Sequence, residues 1–268
     1  MLINNTLNCN KMKNLIFSLS IISIFALGAC NKQKTTSSNS NSKNAFSVIA
    51  RTLILNEEPS DFTLLISSVL PISSNNTYNI SNTNTAIQAS CKEMINCGSL
   101  TLNSSAIPFT NSNTYFLQSD SHVSYADFIG KNADAVFTRS NSSIPSFNLS
   151  EYSPKIIQVN YDGLVNSKIN KNSSLRINWT SDNLMPSGKC VLVIEGSNEN
   201  DDNHLFVQTI PDVNGTYTIE SSTWSEFTNY SSVRLYLARG YNKTTIIEGK
   251  SIEMQFLNYC WTRLYFNS

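Results

Sequence analysis

The sequence predicts an all-β protein: two β-sandwich-like domains, the C-terminal one immunoglobulin-like, after a signal peptide and a flexible tether. Three observations carry this. Short apolar runs rich in Val, Ile, Phe and Tyr recur between clusters of Asn, Ser, Pro and Gly, the signature of strands and turns. From Ala45 onward no window sustains a 3.6-residue apolar period over three turns. Pro154 to Phe266 holds about eight such runs, the strand density of an immunoglobulin-like sandwich.

The elements follow in order. In the first domain, 46–153, Phe46 through Leu55 reads as a strand. Phe62–Ile66, Ser99–Leu102 and Asp134–Thr138 follow it. Ile144 to Phe147 and Tyr152-Ser153-Pro154 mark the boundary, because proline rigidifies a link and cannot donate to a ladder. The second domain, 154–268, opens with Pro154–Val159. Leu175–Trp179 alternates strictly, and Trp179 is expected in the core, like the buried tryptophan of an immunoglobulin strand. Cys190–Ile194 reads as a more buried strand. Leu205–Ile210, Gly215–Ile219, Ser232–Arg239, Ser251–Phe256 and Trp261–Phe266 complete the set. Between Ile219 and Ser232, SSTWSEFTNY predicts one helical turn, capped by Ser221 or Ser222 with Glu226 in its first turns.

Upstream, 1–29 reads as a secretory signal. Lys11 and Lys13 lead into an apolar run from Leu15 to Leu27, shorter than the roughly 20 residues a membrane span needs. Met12 is the expected true start, since MKNLIF is the usual opening of such signals. Leu27-Gly28-Ala29-Cys30 resembles the lipobox of bacterial lipoproteins. That resemblance implies lipidation at Cys30 and, with Asn31 next, an outer-membrane or cell-surface address. Residues 30–45, including NKQKTTSSNSNSKN, read as the tether, because no apolar side chain from Asn31 to Asn44 can drive folding.

With Cys9 and Cys30 set aside, Cys91, Cys97, Cys190 and Cys260 remain, and four cysteines allow three connectivities. Export favours disulfides. Cys91 and Cys97 enclose only KEMIN and form the natural local pair, leaving Cys190 with Cys260. The spacing is a poor zinc pattern, so no metal and no cofactor are expected.

A second resemblance concerns the folded part. IPSFNLSEYSPKI, then SLRINW and SD, then NGTYTIESSTWSEF and VRLYLARGY, is similar to a recurrent pattern in uncharacterised lipoproteins of Bacteroidetes-type bacteria. It implies the sandwich and the location. It brings no activity with it.

Composition and motifs bound the function. Nineteen basic and 19 acidic side chains give a formal net charge of zero, with no basic stripe for nucleic acid. No nucleophile elbow, P-loop, zincin motif or dinucleotide fingerprint occurs. His122 and His204 read as loop residues away from any nucleophile. The loop Ser197–Asn203 carries Glu199, Asp201 and Asp202; it reads as a solvated turn, with calcium as the alternative. Trp224 and Trp261, with Asp201 and Asp202, are the candidate ligand-facing residues. The expected role is a non-enzymatic binding, adhesion or envelope-accessory module. Its membrane contact is the N-terminal lipid, and its partner is a glycan or an envelope protein. The alternative is a cell-surface hydrolase of glycans or peptides.

Overall fold

The computed structural model describes residues 44–55, 58–71, 83–93, 96–110, 114–118, 127–140, 142–162, 164, 167–197 and 203–267. The signal, Met12, Cys30, nearly all of the tether, His122, Asp201 and Asp202 lie outside the described residues.

The first described element corrects the sequence reading. Where a strand is expected from Phe46, the chain forms helix α1 (Ala45–Leu53). Its entry is fixed by Asn44, whose side chain accepts the Ser47 N–H at 2.8 Å. Ala45, Ile49 and Ala50 are its buried side.

Fifteen strands follow among the described residues. They are β1 (Phe62–Pro71), β2 (Asn84–Cys91), β3 (Gly98–Leu102), β4 (Ser105–Ile107), β5 (Tyr115–Gln118), β6 (Lys131–Arg139), β7 (Phe147–Ser153) and β8 (Val159–Asp162). Then come β9 (Lys168–Ile169), β10 (Leu175–Trp179), β11 (Lys189–Ser197), β12 (Asn203–Pro211), β13 (Thr216–Ile219), β14 (Ser232–Ile247) and β15 (Lys250–Phe266). A short helix, α2 (Ser221–Ser225), precedes β14. Its N-cap is Glu220 and makes no side-chain cap bond, so neither Ser221 nor Ser222 caps it.

The chain is thus mostly β, with several antiparallel sheets. The alternating segments form strands as their pattern dictates: β6 buries Ala133, Ala135 and Phe137, and β10 buries Leu175, Ile177 and Trp179. Two expected strands, Ser251–Phe256 and Trp261–Phe266, are parts of the single strand β15. It pairs with β14 along its length, around a turn in which Glu248 and Gly249 have φ of 49° and 75°. Two consecutive positive φ values make the type I′ hairpin turn, whose twist suits paired strands. Pro154–Ile157 carries no strand; the ladder resumes only at Val159.

One large sheet runs β12-β11-β14-β15-β1-β2-β5, with β9 also on β15. β1 lies parallel to β15 and antiparallel to β2. A four-stranded sheet, β4-β3-β6-β7, and a three-stranded sheet, β13-β10-β8, pack on it. The first shares a core with Phe62, Leu64, Ile66, Ile252, Met254 and Phe256 of the large sheet. The second shares a core with Leu70, Cys260 and Leu264. These residues alternate along β1 and β15, so both small sheets cover the same face. The large sheet therefore draws strands from both sides of the Ser153–Pro154 link. Only the second layer changes sheet there. Helix α1 takes the opposite face: Phe46 meets Tyr259 edge-on, ring centroids 5.6 Å apart.

Between the two cores, the shared face carries a polar row. Thr85, Ser68, Asn258, Arg239 and Cys190 stand in lateral register across β2, β1, β15, β14 and β11. Ser68 and Thr85 share a hydroxyl hydrogen bond at 2.8 Å. The Asn258 amide donates to the Pro154 carbonyl, which ties the link to the row.

Candidate functional site

The densest chemistry lies where this row reaches β14. Sequence reasoning missed it. VRLYLARGY predicts a strand whose alternate side chains are apolar, and Arg239 interrupts that series. Arg239 is fully buried. Its Nη2 donates to the Thr180 carbonyl at 2.6 Å and lies 3.1 Å from Asp212 Oδ1. Its Nη1 lies 4.0 Å from Asp182 Oδ2. Asp182 follows β10, and Asp212 follows β12. One buried cation thus gathers two connections onto β14.

Two carboxylates face one guanidinium, so further donors are needed to offset their desolvation. Asp212 accepts from the Trp179 indole at 2.9 Å and from the Asp182 N–H at 2.7 Å. Asp182 accepts from the Lys155 N–H at 2.7 Å and the Leu184 N–H at 3.2 Å. The Tyr152 hydroxyl also donates to Asp182, 3.0 Å from each oxygen. Trp179 is buried as expected, and its indole N–H has this carboxylate as its partner.

Cys190 completes the cluster. Its thiol donates to Asp212 Oδ1 at 3.0 Å. Burial first, and then the negative charge of Asp212, push its pKa well above the ordinary thiol value. The hydroxyl of Tyr152 moves the same way, through burial and its bond to Asp182. Both groups stay protonated at neutral pH and serve as donors. A thiol held neutral is a poor nucleophile. The arrangement is a buried clamp that joins the Ser153–Lys155 link, two loops and the large sheet.

The cysteine expectations divide. Cys91 and Cys97 form the disulfide. Cys190 and Cys260 do not pair; both are free and buried. They flank β14, opposite Arg239 and Leu237 respectively. Two strand spacings, roughly 9.6 Å, exceed the roughly 7 Å Cα reach of a disulfide. Sequence alone gives no such register. Burial pushes the Cys260 thiol up to about 12.

The other expected site residues separate as well. Trp224 is not ligand-facing: it is fully buried, and its indole donates to the Ser173 carbonyl at 3.1 Å. Trp261 is half-buried on the α1 face. His204 lies on β12, its Nε2 3.0 Å from Glu226 Oε2. No cluster of three or more metal-ligating side chains occurs among the described residues. No described helix is long and apolar enough to cross a membrane.

No known family model matches the chain, and no curated protein matches it.

Proposed function

We propose that this chain is an exported lipoprotein, held to the outer membrane or cell surface by lipid on Cys30, that works by binding rather than by catalysis. One observation carries the second half of that reading. The strongest chemical groups described, Arg239, Asp182, Asp212 and Cys190, are all at most 2 % exposed and are ion-paired or hydrogen-bonded with one another inside the fold. The first half rests on the lipobox and on the signal before it. Two sheets with Trp179 buried on the central strand of the smaller one support an immunoglobulin-like C-terminal part. Such folds present ligands to strand faces and loops. An envelope glycan or envelope protein is the partner class.

Metabolic labelling with an alkyne fatty acid tests the anchor. The wild-type chain takes up label and sediments with membranes, while Cys30→Ser loses both. A Cys30→Ser chain that stays in the membrane fraction and keeps its label overturns it. Crosslinking on intact cells tests the binding role, by recovery of one reproducible envelope glycan or protein. Turnover of a glycan or peptide substrate by the purified chain refutes it.

A further inference from the structure

Where the chain enters the fold singles out one end of the large sheet. The Ala45 N–H donates to Glu195 Oε1 at 3.2 Å, so α1 begins at the end of β11. Glu195 is buried beneath it and also receives the Tyr236 hydroxyl at 3.1 Å. Glu195, Arg234 and Arg263 stand side by side across β11, β14 and β15. Arg234 Nη1 lies 3.4 Å from Glu195 Oε2.

The face that holds α1 continues past its first turn toward this end. Tyr259 touches α1, and alternation along β15 puts Trp261, Arg263 and Tyr265 on the same side. Lys168 of β9 pairs in register with Tyr265. Arg263 and Lys168 are exposed, Tyr265 is 44 % exposed and Trp261 is half-buried. Aromatic side chains with an apolar body and a polar tip, interleaved with cations, are the composition of a membrane–water interface.

The outside chain selects the occupant. Fourteen residues, Asn31 to Asn44, separate Cys30 from α1. The chain that would carry lipid on Cys30 joins the fold at this end of the sheet, where Ala45 meets Glu195. We propose that Trp261, Arg263, Tyr265 and Lys168 rest on the phosphate headgroups of an anionic phospholipid surface. This rests on the anchoring read from Cys30, and it gives the folded part a fixed face toward the membrane.

Tryptophan quenching on vesicles tests it with the full lipidated chain. Trp179 and Trp224 are buried, so Trp261 is the reporter. Phosphatidylglycerol vesicles with nitroxide headgroups should quench it several-fold more than phosphatidylcholine vesicles with the same label. Trp261→Phe should abolish the difference. In the Cys30→Ser background, Arg263→Gln and Lys168→Gln should each weaken vesicle affinity about fivefold, the effect of one basic side chain near an anionic surface. Flotation of the lipidated chain without quenching of Trp261 overturns the proposal and leaves the anchor standing. So does capture of this face by a protein partner, seen as crosslinks from position 263 to protein and not to lipid. Loss of lipid label together with quenching that Arg263→Gln and Lys168→Gln abolish overturns the anchor alone.

Discussion

Replacing Arg239 with Met removes the single cation of the buried clamp at nearly constant volume. It leaves Asp212 and Asp182, at 3.1 and 4.0 Å, without their counter-charge. At an effective dielectric near 20, the two lost attractions are worth roughly 5 and 4 kcal/mol. Arg239 no longer has to be desolvated, which offsets about half of that. Breaking a buried ion pair typically costs about 3–5 kcal/mol. At roughly 2–4 °C per kcal/mol for a chain of this size, Tm falls by about 6–20 °C. Thermal unfolding followed by circular dichroism measures the loss. Adding Asp212→Asn to Arg239→Met recovers part of it, because one of the two stranded charges is removed. A deficit below about 1 kcal/mol refutes the clamp.

Three further outcomes follow from the same interior. Cys190 and Cys260 should be inert to a thiol reagent in the native chain and both reactive in guanidinium; a Cys190–Cys260 disulfide in peptide mapping contradicts the register. Because burial holds Cys260 near 12 against an unfolded value near 8.5, its contribution is complete below that lower value and lost as pH rises toward the upper one. Alkaline unfolding should steepen by about 1.4 kcal/mol per pH unit per thiol in this window, and Cys260→Ala should flatten it by that amount. Trp224→Ala should cost about 3–5 kcal/mol in chemical denaturation, as for a fully buried aromatic, and Trp261→Ala less than half as much; equal losses would contradict the placement of these two side chains.

What could be read from the sequence was local. Ile177 between Leu175 and Trp179, and Ala135 between Ala133 and Phe137, announce one buried face each, because period two survives any tertiary context. The Cys91–Cys97 pair was legible because six positions separate the two residues. Phe46 to Leu53 misled for a physical reason. Phe, Val, Ile and Thr are strand formers, and a helix of under three turns leaves a weak periodic trace. Its state is decided by Asn44 at its entry and by the sheet beneath Ala45, Ile49 and Ala50. The polar row was illegible for a different reason. Thr85, Ser68, Asn258, Arg239 and Cys190 meet only through the register of five strands, and a shift of one residue in any pairing would turn a side chain to the other face. The only local hint was a charged residue in the apolar alternation of β14.

The parallel pairing of β1 with β15 sets an order of events for folding. Phe62 pairs with Ile252, and Asp61 bonds Ser251 across a sequence separation of 190. Until β15 emerges, β1 can close with β2 alone, and its other edge stays an open template for foreign strands. Contacts this distant make for slow assembly. The interval before β15 pairs, rather than the final fold, is then where this chain is most exposed to aggregation.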